Sequence, residues 1–443
     1  MGGRLVNAGS KMISAACARR AVVFALATAT VAGAAGCSGS DGAAGMSAAR
    51  IVVSSSSPVF DTPASTTISG LPADARVTVT ASALDHDGQP WRSSAVFTAD
   101  SAGRVSLAQP SIGGSYQGSD EMGLLETLAP PPGQGAPSPY RTGTSGFDIE
   151  LRVSVGGHVL AATTMTRQWP TLKPQAETLA GTGIYGELYL PAHYTGRRPA
   201  VLVFGGSEGG LAVGEQALQL AAQGYPALAL AYFKEPGLPS TLRDVPLEYF
   251  VKALNLLARQ PGVDPDHLVV WGTSRGSEAA LLLGADFPNL VHGVIAGVPS
   301  SLVWGSFPAG SAAWTLGGKP LPYASGNDWN QPDPADAQDA VIPVEQIRGP
   351  VFMVCGGADQ VWASCPYTDA IAARLTRHRF NYPVTALHYP SAGHFGGDLM
   401  PYLPRADAAS PTEPLVGTGG TELTDLQAEA NSWPRLLAFL AQQ

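Results

Sequence analysis

The chain has 443 residues, of which 45% are hydrophobic, enough to bury a substantial core and exclude a globally disordered protein. A formal charge of −9, with no Lys/Arg run beyond the N-terminus, argues against nucleic acid as a partner. No Cys/His cluster has metal-ligand spacing, so a structural zinc site is not expected.

Residues 1–36 read as a secretory signal. Arg4, Lys11, Arg19 and Arg20 are followed by an apolar, alanine-rich run from Ala21 to Ala35, too short for a confident membrane span. The run ends in Ala34-Ala35-Gly36-Cys37, similar to the cleavage box of bacterial lipoproteins, with Ala34 where that box usually has Leu. Cys37 is therefore the expected lipidation site, and 37–47 a Gly/Ser tether holding the protein to the outer side of a bacterial cell membrane. Ordinary cleavage and secretion is the alternative.

From 48 to 170, short alternating runs such as Arg76–Ser82, Ser94–Thr98 and Phe147–Val155 are separated by turns at Asp87-Gly88 and Gly156-Gly157. Period-two alternation with such turns predicts an immunoglobulin-like antiparallel β-sandwich. His86 and His158 fall at its turns and carry no expected role. From 171 to 443 the pattern changes. Apolar strands at Ala200–Phe204, Ala227–Tyr232, His267–Trp271, Gly293–Val298, Val351–Cys355 and Val384–Tyr389 alternate with helical stretches near 213–223, 243–259, 275–285, 366–377 and 424–441. That order specifies an α/β domain, a mostly parallel sheet with helices on both faces. Thr424 and Gln427 suggest a capping box on the last helix. The irregular stretch 299–345 has room for a lid or a surface excursion.

Gly-x-Ser-x-Gly occurs twice, at Gly205–Gly209 around Ser207 and at Gly272–Gly276 around Ser274. With 52 glycines in the chain, chance alone supplies about 0.5 such matches, so strand order must decide. In the α/β-hydrolase fold an early glycine loop lends an oxyanion N–H, the nucleophile elbow follows two strand–helix units, and the acid and His come later. Ser207 occupies the early slot and Ser274 the elbow. Asp359 follows one strand and His394 the next, so the order Ser, Asp, His is the one this fold uses. A serine hydroxyl needs a base to take its proton, and a carboxylate behind the His fixes its tautomer; this chemistry calls for no metal or organic cofactor. The backbone N–H groups of Arg275 and of the loop at Ser207 are the expected oxyanion donors. Asp369 and Asp398 are alternative acids, but one falls inside a predicted helix and the other lies beyond the His.

Several segments, taken in order, resemble one family. They are Ser111–Leu125, Phe204–Leu211, Ala229–Phe233, Leu247–Phe250, Gly272–Glu278 and Ile342–Glu345. Together they are similar to the acyl-CoA thioesterases and bile acid-CoA:amino acid N-acyltransferases. The resemblance implies a triad of Ser274, Asp359 and His394 acting on an acyl thioester or ester. Amide-forming members of that family carry Cys at the nucleophile position, so Ser274 favours hydrolysis over acyl transfer to an amine or alcohol. A catalytically inactive binding lipoprotein is the non-enzymatic alternative. Cys355 and Cys365 are an expected disulfide in an exported protein, closing a loop of about 10 residues for roughly 2–3 kcal/mol.

Overall fold

The computed structural model describes residues 48–56, 59–131, 146–193, 196–325, 330, 337–404, 412 and 414–443. The signal segment 1–36, Cys37 and the tether 37–47 lie outside the described residues. The N-terminal strands are β1 (Arg50–Val53), β2 (Thr66–Ser69), β3 (Arg76–Leu84), β4 (Pro90–Thr98), β5 (Val105–Ser106) and β6 (Gly113–Gly114). After the short helix α1 (Gly123–Glu126) come β7 (Gly146–Val155) and β8 (His158–Gln168). Every pairing is antiparallel, in sheets ordered β1-β2-β5 and β6-β4-β3-β7-β8. Alternation explains the layering. Val77, Val79, Ala81 and Ala83 of β3 point inward and pack with Ile51, Ile68 and Val105 of the smaller sheet in one core. His86 and His158 are exposed. The smaller sheet was not predicted, because strands of two to four residues are too short for a period of two to register.

The second part begins with α2 (Ala176–Leu179), β9 (Gly186–Tyr189), β10 (Arg198–Phe204), α3 (Gly214–Ala222) and β11 (Ala227–Leu230). It continues with β12 (Val245–Pro246), α4 (Leu247–Leu257), β13 (Val263–Thr273), α5 (Arg275–Asp286) and β14 (Gly293–Gly297). Then follow β15 (Trp314–Leu316), β16 (Lys319–Pro320), β17 (Val351–Gly356), α6 (Ser364–Arg377), β18 (Val384–Tyr389) and α7 (Glu422–Leu440). Seven of these strands form one sheet in the order β18-β17-β14-β13-β10-β11-β9, parallel except for the edge strand β9. Successive strand residues serve opposite faces. Ala200, Leu202 and Phe204 join a core with residues of α4, α5 and α6, while Val201 and Val203 join another with residues of α3 and α7. A parallel sheet buried on both sides needs such unbroken apolar strands, which is why they were legible. The central strand of the seven is β13, and it delivers Ser274.

The capping box lies three residues earlier than expected. Thr421, in extended backbone, accepts the Thr424 N–H (3.1 Å), and the Thr424 hydroxyl oxygen accepts the Thr421 N–H (2.8 Å). Thr–Thr reciprocity does the work expected of Thr424 and Gln427. Gln427 instead reaches across to Asp120 in the sandwich part (2.8 Å), and Leu423 enters the sandwich core. The described parts of 299–345 are packed: Trp304 and Trp314 are buried, Leu302 and Trp304 cluster with Trp362 and Tyr367, and β12, β15 and β16 form a small sheet. Among the described residues, no helix is long and apolar enough to cross a membrane.

Candidate active site

The turn from β13 to α5 puts Ser274 at φ 55° and ψ −124°, a sparsely populated region for a residue with a side chain. Its N–H donates to the Gly297 carbonyl (2.9 Å), and the Ser277 hydroxyl donates to the Ser274 carbonyl (2.6 Å), so both sides of the strained residue are tied. The flanking glycines are steric requirements. A Cβ on Gly272 would lie 2.1 Å from the Gly276 carbonyl oxygen, and one on Gly276 would lie 2.2 Å from that of Gly205. A motif that composition could produce by chance is here demanded by backbone contact.

Ser274 Oγ is 2.8 Å from His394 Nε2, and His394 Nδ1 is 2.9 Å from Asp359 Oδ2. With Asp359 ionised, Nδ1 carries the proton and Nε2 accepts from the serine hydroxyl. Asp359 and His394 follow the adjacent parallel strands β17 and β18, paired up to Gly356 opposite Tyr389. The Asp359 side chain has no solvent exposure, and its Oδ1 accepts the N–H groups of Val361 (2.9 Å) and Trp362 (3.3 Å). The Trp362 ring meets His394 edge-on at 5.8 Å and anchors by donating Nε1–H to the Val298 carbonyl (3.1 Å). A strap before α7 joins the two loops: the Thr418 carbonyl accepts the N–H of Gln360 (3.2 Å) and of His394 (2.9 Å). Cys355 at the end of β17 and Cys365 at the start of α6 are disulfide-bonded, spanning the turn that carries Asp359. His388 brings a ring nitrogen within 4.8 Å of those sulfurs, a proximity that sequence spacing did not reveal. Of the alternative acids, Asp369 bonds His388 (2.9 Å), and Asp398 lines the cavity beside His394.

A cavity of about 540 Å³ opens over Ser274 and His394. Gly205, Gly206, Ser207 and Glu208 form one wall, with Val213, Phe307, Val361 and Phe395 among the apolar residues. Ser207 lies in the wall, whereas the serine His394 contacts is Ser274. A Cβ on Gly206 would come 2.8 Å from the Ser274 Cβ, so this loop lies directly against the nucleophile candidate. The Gly206 N–H is taken by Glu208 Oε1 (2.8 Å), and Ser207 is the next residue along the chain. Arg275 supplies the first N–H of α5, at the helix end where backbone donors lack intrahelical acceptors.

The Arg275 side chain has a second task that its place in the motif did not suggest. It is buried, pairs with Glu278 (Nε–Oε1 2.6 Å), and donates from Nη2 to the carbonyls of Trp304 and Gly305 (both 2.9 Å). Glu278 Oε2 accepts from Trp314 Nε1 (2.9 Å) and the Trp304 N–H (3.2 Å). The ion pair therefore pins 304–314 to the helix that starts at the elbow. Burial raises the Glu278 carboxyl above its ordinary range, opposed by Arg275 and the Trp314 hydrogen bond. Sequence reasoning missed Glu208, Glu278, Trp362 and Thr418. The one available signal was a pair of acids, Glu208 and Glu278, each within four residues of a motif serine.

The strand order and the strand–turn–helix at Ser274 define the α/β-hydrolase class. Two family models match the chain: the acyl-CoA thioester hydrolase/BAAT N-terminal region over residues 61–176, and the BAAT/acyl-CoA thioester hydrolase C-terminal region over 245–305 and 324–443. Acyl-coenzyme A thioesterase 6 of Mus musculus is 29% identical over 404 residues, covering 86% of this chain and 93% of that protein. The mitochondrial acyl-coenzyme A thioesterase 2 of Homo sapiens is 29% identical over 401 residues (86% and 81%), and the peroxisomal succinyl-coenzyme A thioesterase of Mus musculus 28% over 413 (86% and 94%). Among solved structures, a dienelactone hydrolase-like promiscuous phosphotriesterase from metagenomic libraries overlaps at TM-score 0.37 and 20% identity, covering 58% of this chain and 92% of its own. The chain belongs to the acyl-CoA thioester hydrolase/BAAT family.

Proposed function

We propose that the protein hydrolyses acyl thioesters, or carboxylic esters, through a covalent acyl-enzyme on Ser274. The observation that carries this reading is the unbroken hydrogen-bond chain from Ser274 through His394 to the buried Asp359. His394 takes the hydroxyl proton as Ser274 attacks the acyl carbonyl. Asp359 holds the imidazole in the right tautomer and stabilises the imidazolium. The N–H groups of Arg275 and Ser207 receive the oxyanion; one such donor typically contributes about 100- to 1000-fold. His394 returns the proton to the leaving thiol or alcohol, then activates water to release the acid. Family membership supports a small acyl thioester as substrate. The full chain is expected to be labelled by a fluorophosphonate probe, and Ser274→Ala to lose the label along with turnover. Equal labelling of the two proteins would refute the assignment.

Export and a lipid on Cys37 are part of the same proposal, supported by the basic N-terminus, the apolar run and the small residues before the cysteine. Growth on radiolabelled palmitate is expected to label the wild type but not Cys37→Ser. An unlabelled wild type removes the anchor.

A further inference from the structure

Glu208 is an acid where the chemistry above has no use for one. The residue lines the cavity with Gly206, Ser207, Ser274 and His394, and one carboxyl oxygen is held by the Gly206 N–H (2.8 Å). The other lies 3.1 Å from where a Gly206 Cβ would stand, on the wall that touches Ser274. Asp398 lines the same cavity, and no described lining residue is Lys or Arg. Lys234 approaches Glu208 from its main-chain side, with Nζ donating to the Glu208 carbonyl (3.0 Å), and is not among the lining residues. Burial raises the Glu208 carboxyl above its usual range, while backbone N–H groups and His394 oppose that shift and Asp398 adds to it.

We infer that Glu208 is a specificity-determining residue that makes the cavity select acyl groups carrying no negative charge. The inference rests on the hydrolase reading and narrows its substrate class. An acyl chain bonded to Ser274 must lie in this cavity, within a few ångströms of the Glu208 carboxylate. Glu208 keeps an exposed surface, so water screens the pair, and two like charges at about 6 Å then change kcat/KM by about tenfold. An acyl group ending in a carboxylate is thus rejected. A neutral chain is accepted against the apolar walls, and one ending in an ammonium gains from the acid.

The test uses three thioesters with one leaving group, N-acetylcysteamine, and six-carbon acyl chains: hexanoyl (neutral), adipoyl (anionic) and 6-aminohexanoyl (cationic). The full-length wild type is expected to prefer hexanoyl over adipoyl by about tenfold in kcat/KM. Glu208→Gln keeps an acceptor for the Gly206 N–H but removes the charge. It is expected to remove most of that preference, mainly by raising adipoyl turnover, and to lower 6-aminohexanoyl turnover relative to hexanoyl. Opposite movement of the two charged substrates is the signature, because damage to the loop would depress all three alike. Glu208→Ala provides a second variant. Ratios that neither substitution moves overturn charge selection while leaving the hydrolase intact. Fluorophosphonate labelling without turnover of even the hexanoyl thioester also overturns it, whereas absence of both labelling and turnover strikes the hydrolase reading itself.

Discussion

Asp359→Asn is expected to lower kcat by about 10⁴-fold with little change in KM or in the fold. The carboxylate has no solvent exposure; one oxygen faces His394 Nδ1 at 2.9 Å and the other receives two backbone N–H groups. An asparagine matches its shape. However, if its carbonyl oxygen keeps the backbone donors, its amide N–H points at Nδ1. That nitrogen must then be an acceptor, so the proton moves to Nε2 and the base that should take the Ser274 proton is gone. Steady-state kinetics on one thioester, with circular dichroism as the folding control, measure the effect. A loss below about tenfold would remove Asp359 from the mechanism and turn attention to Asp398, which shares the cavity.

Glu278→Gln is expected to destabilise the fold by about 3–5 kcal/mol, read from chemical denaturation. The substitution takes the Glu278 carboxylate away from the Arg275 guanidinium, which is 2% exposed and also donates to two carbonyls. Burial lifts the Glu278 carboxyl despite its partner, so the intact pair is not itself a large stabiliser. The cost arises from breaking one side of it. The double variant Arg275→Met/Glu278→Leu is accordingly expected to lose less stability than Glu278→Gln alone. A single-variant loss under about 1 kcal/mol would show that the pair does not pin 304–314.

What the sequence disclosed and what it hid follow from range. The parallel sheet was legible because strands buried on both faces are continuous apolar runs, and the positions of Ser274, Asp359 and His394 followed from strand order. The small sheet β1-β2-β5 and the edge strand β9 were hidden because two to four residues carry no usable period. The cap on α7 was misplaced by three residues because Thr421 and Thr424 are equivalent to the eye; extended backbone at Thr421 chooses between them. Arg275 was read for its backbone N–H alone. Its side chain finds partners some thirty residues ahead, at Trp304 and Gly305, and no local pattern encodes that distance. Glu208 had no role in the motif reading, and its meaning depends on the cavity it lines.

The shared acceptor at Thr418 has a consequence for how this site can diverge. Gln360 and His394 both donate main-chain N–H to the same carbonyl, so the reach from acid to imidazole is set by backbone rather than by side chains. Short of proline at His394, replacing a side chain of the cavity wall leaves those backbone bonds in place. Residues such as Glu208, Phe307 and Val361 are therefore open to change one at a time, altering which acyl group fits while the proton path stays in place. Choice of substrate and arrangement of the proton path are, in this molecule, separated by which atoms do the holding.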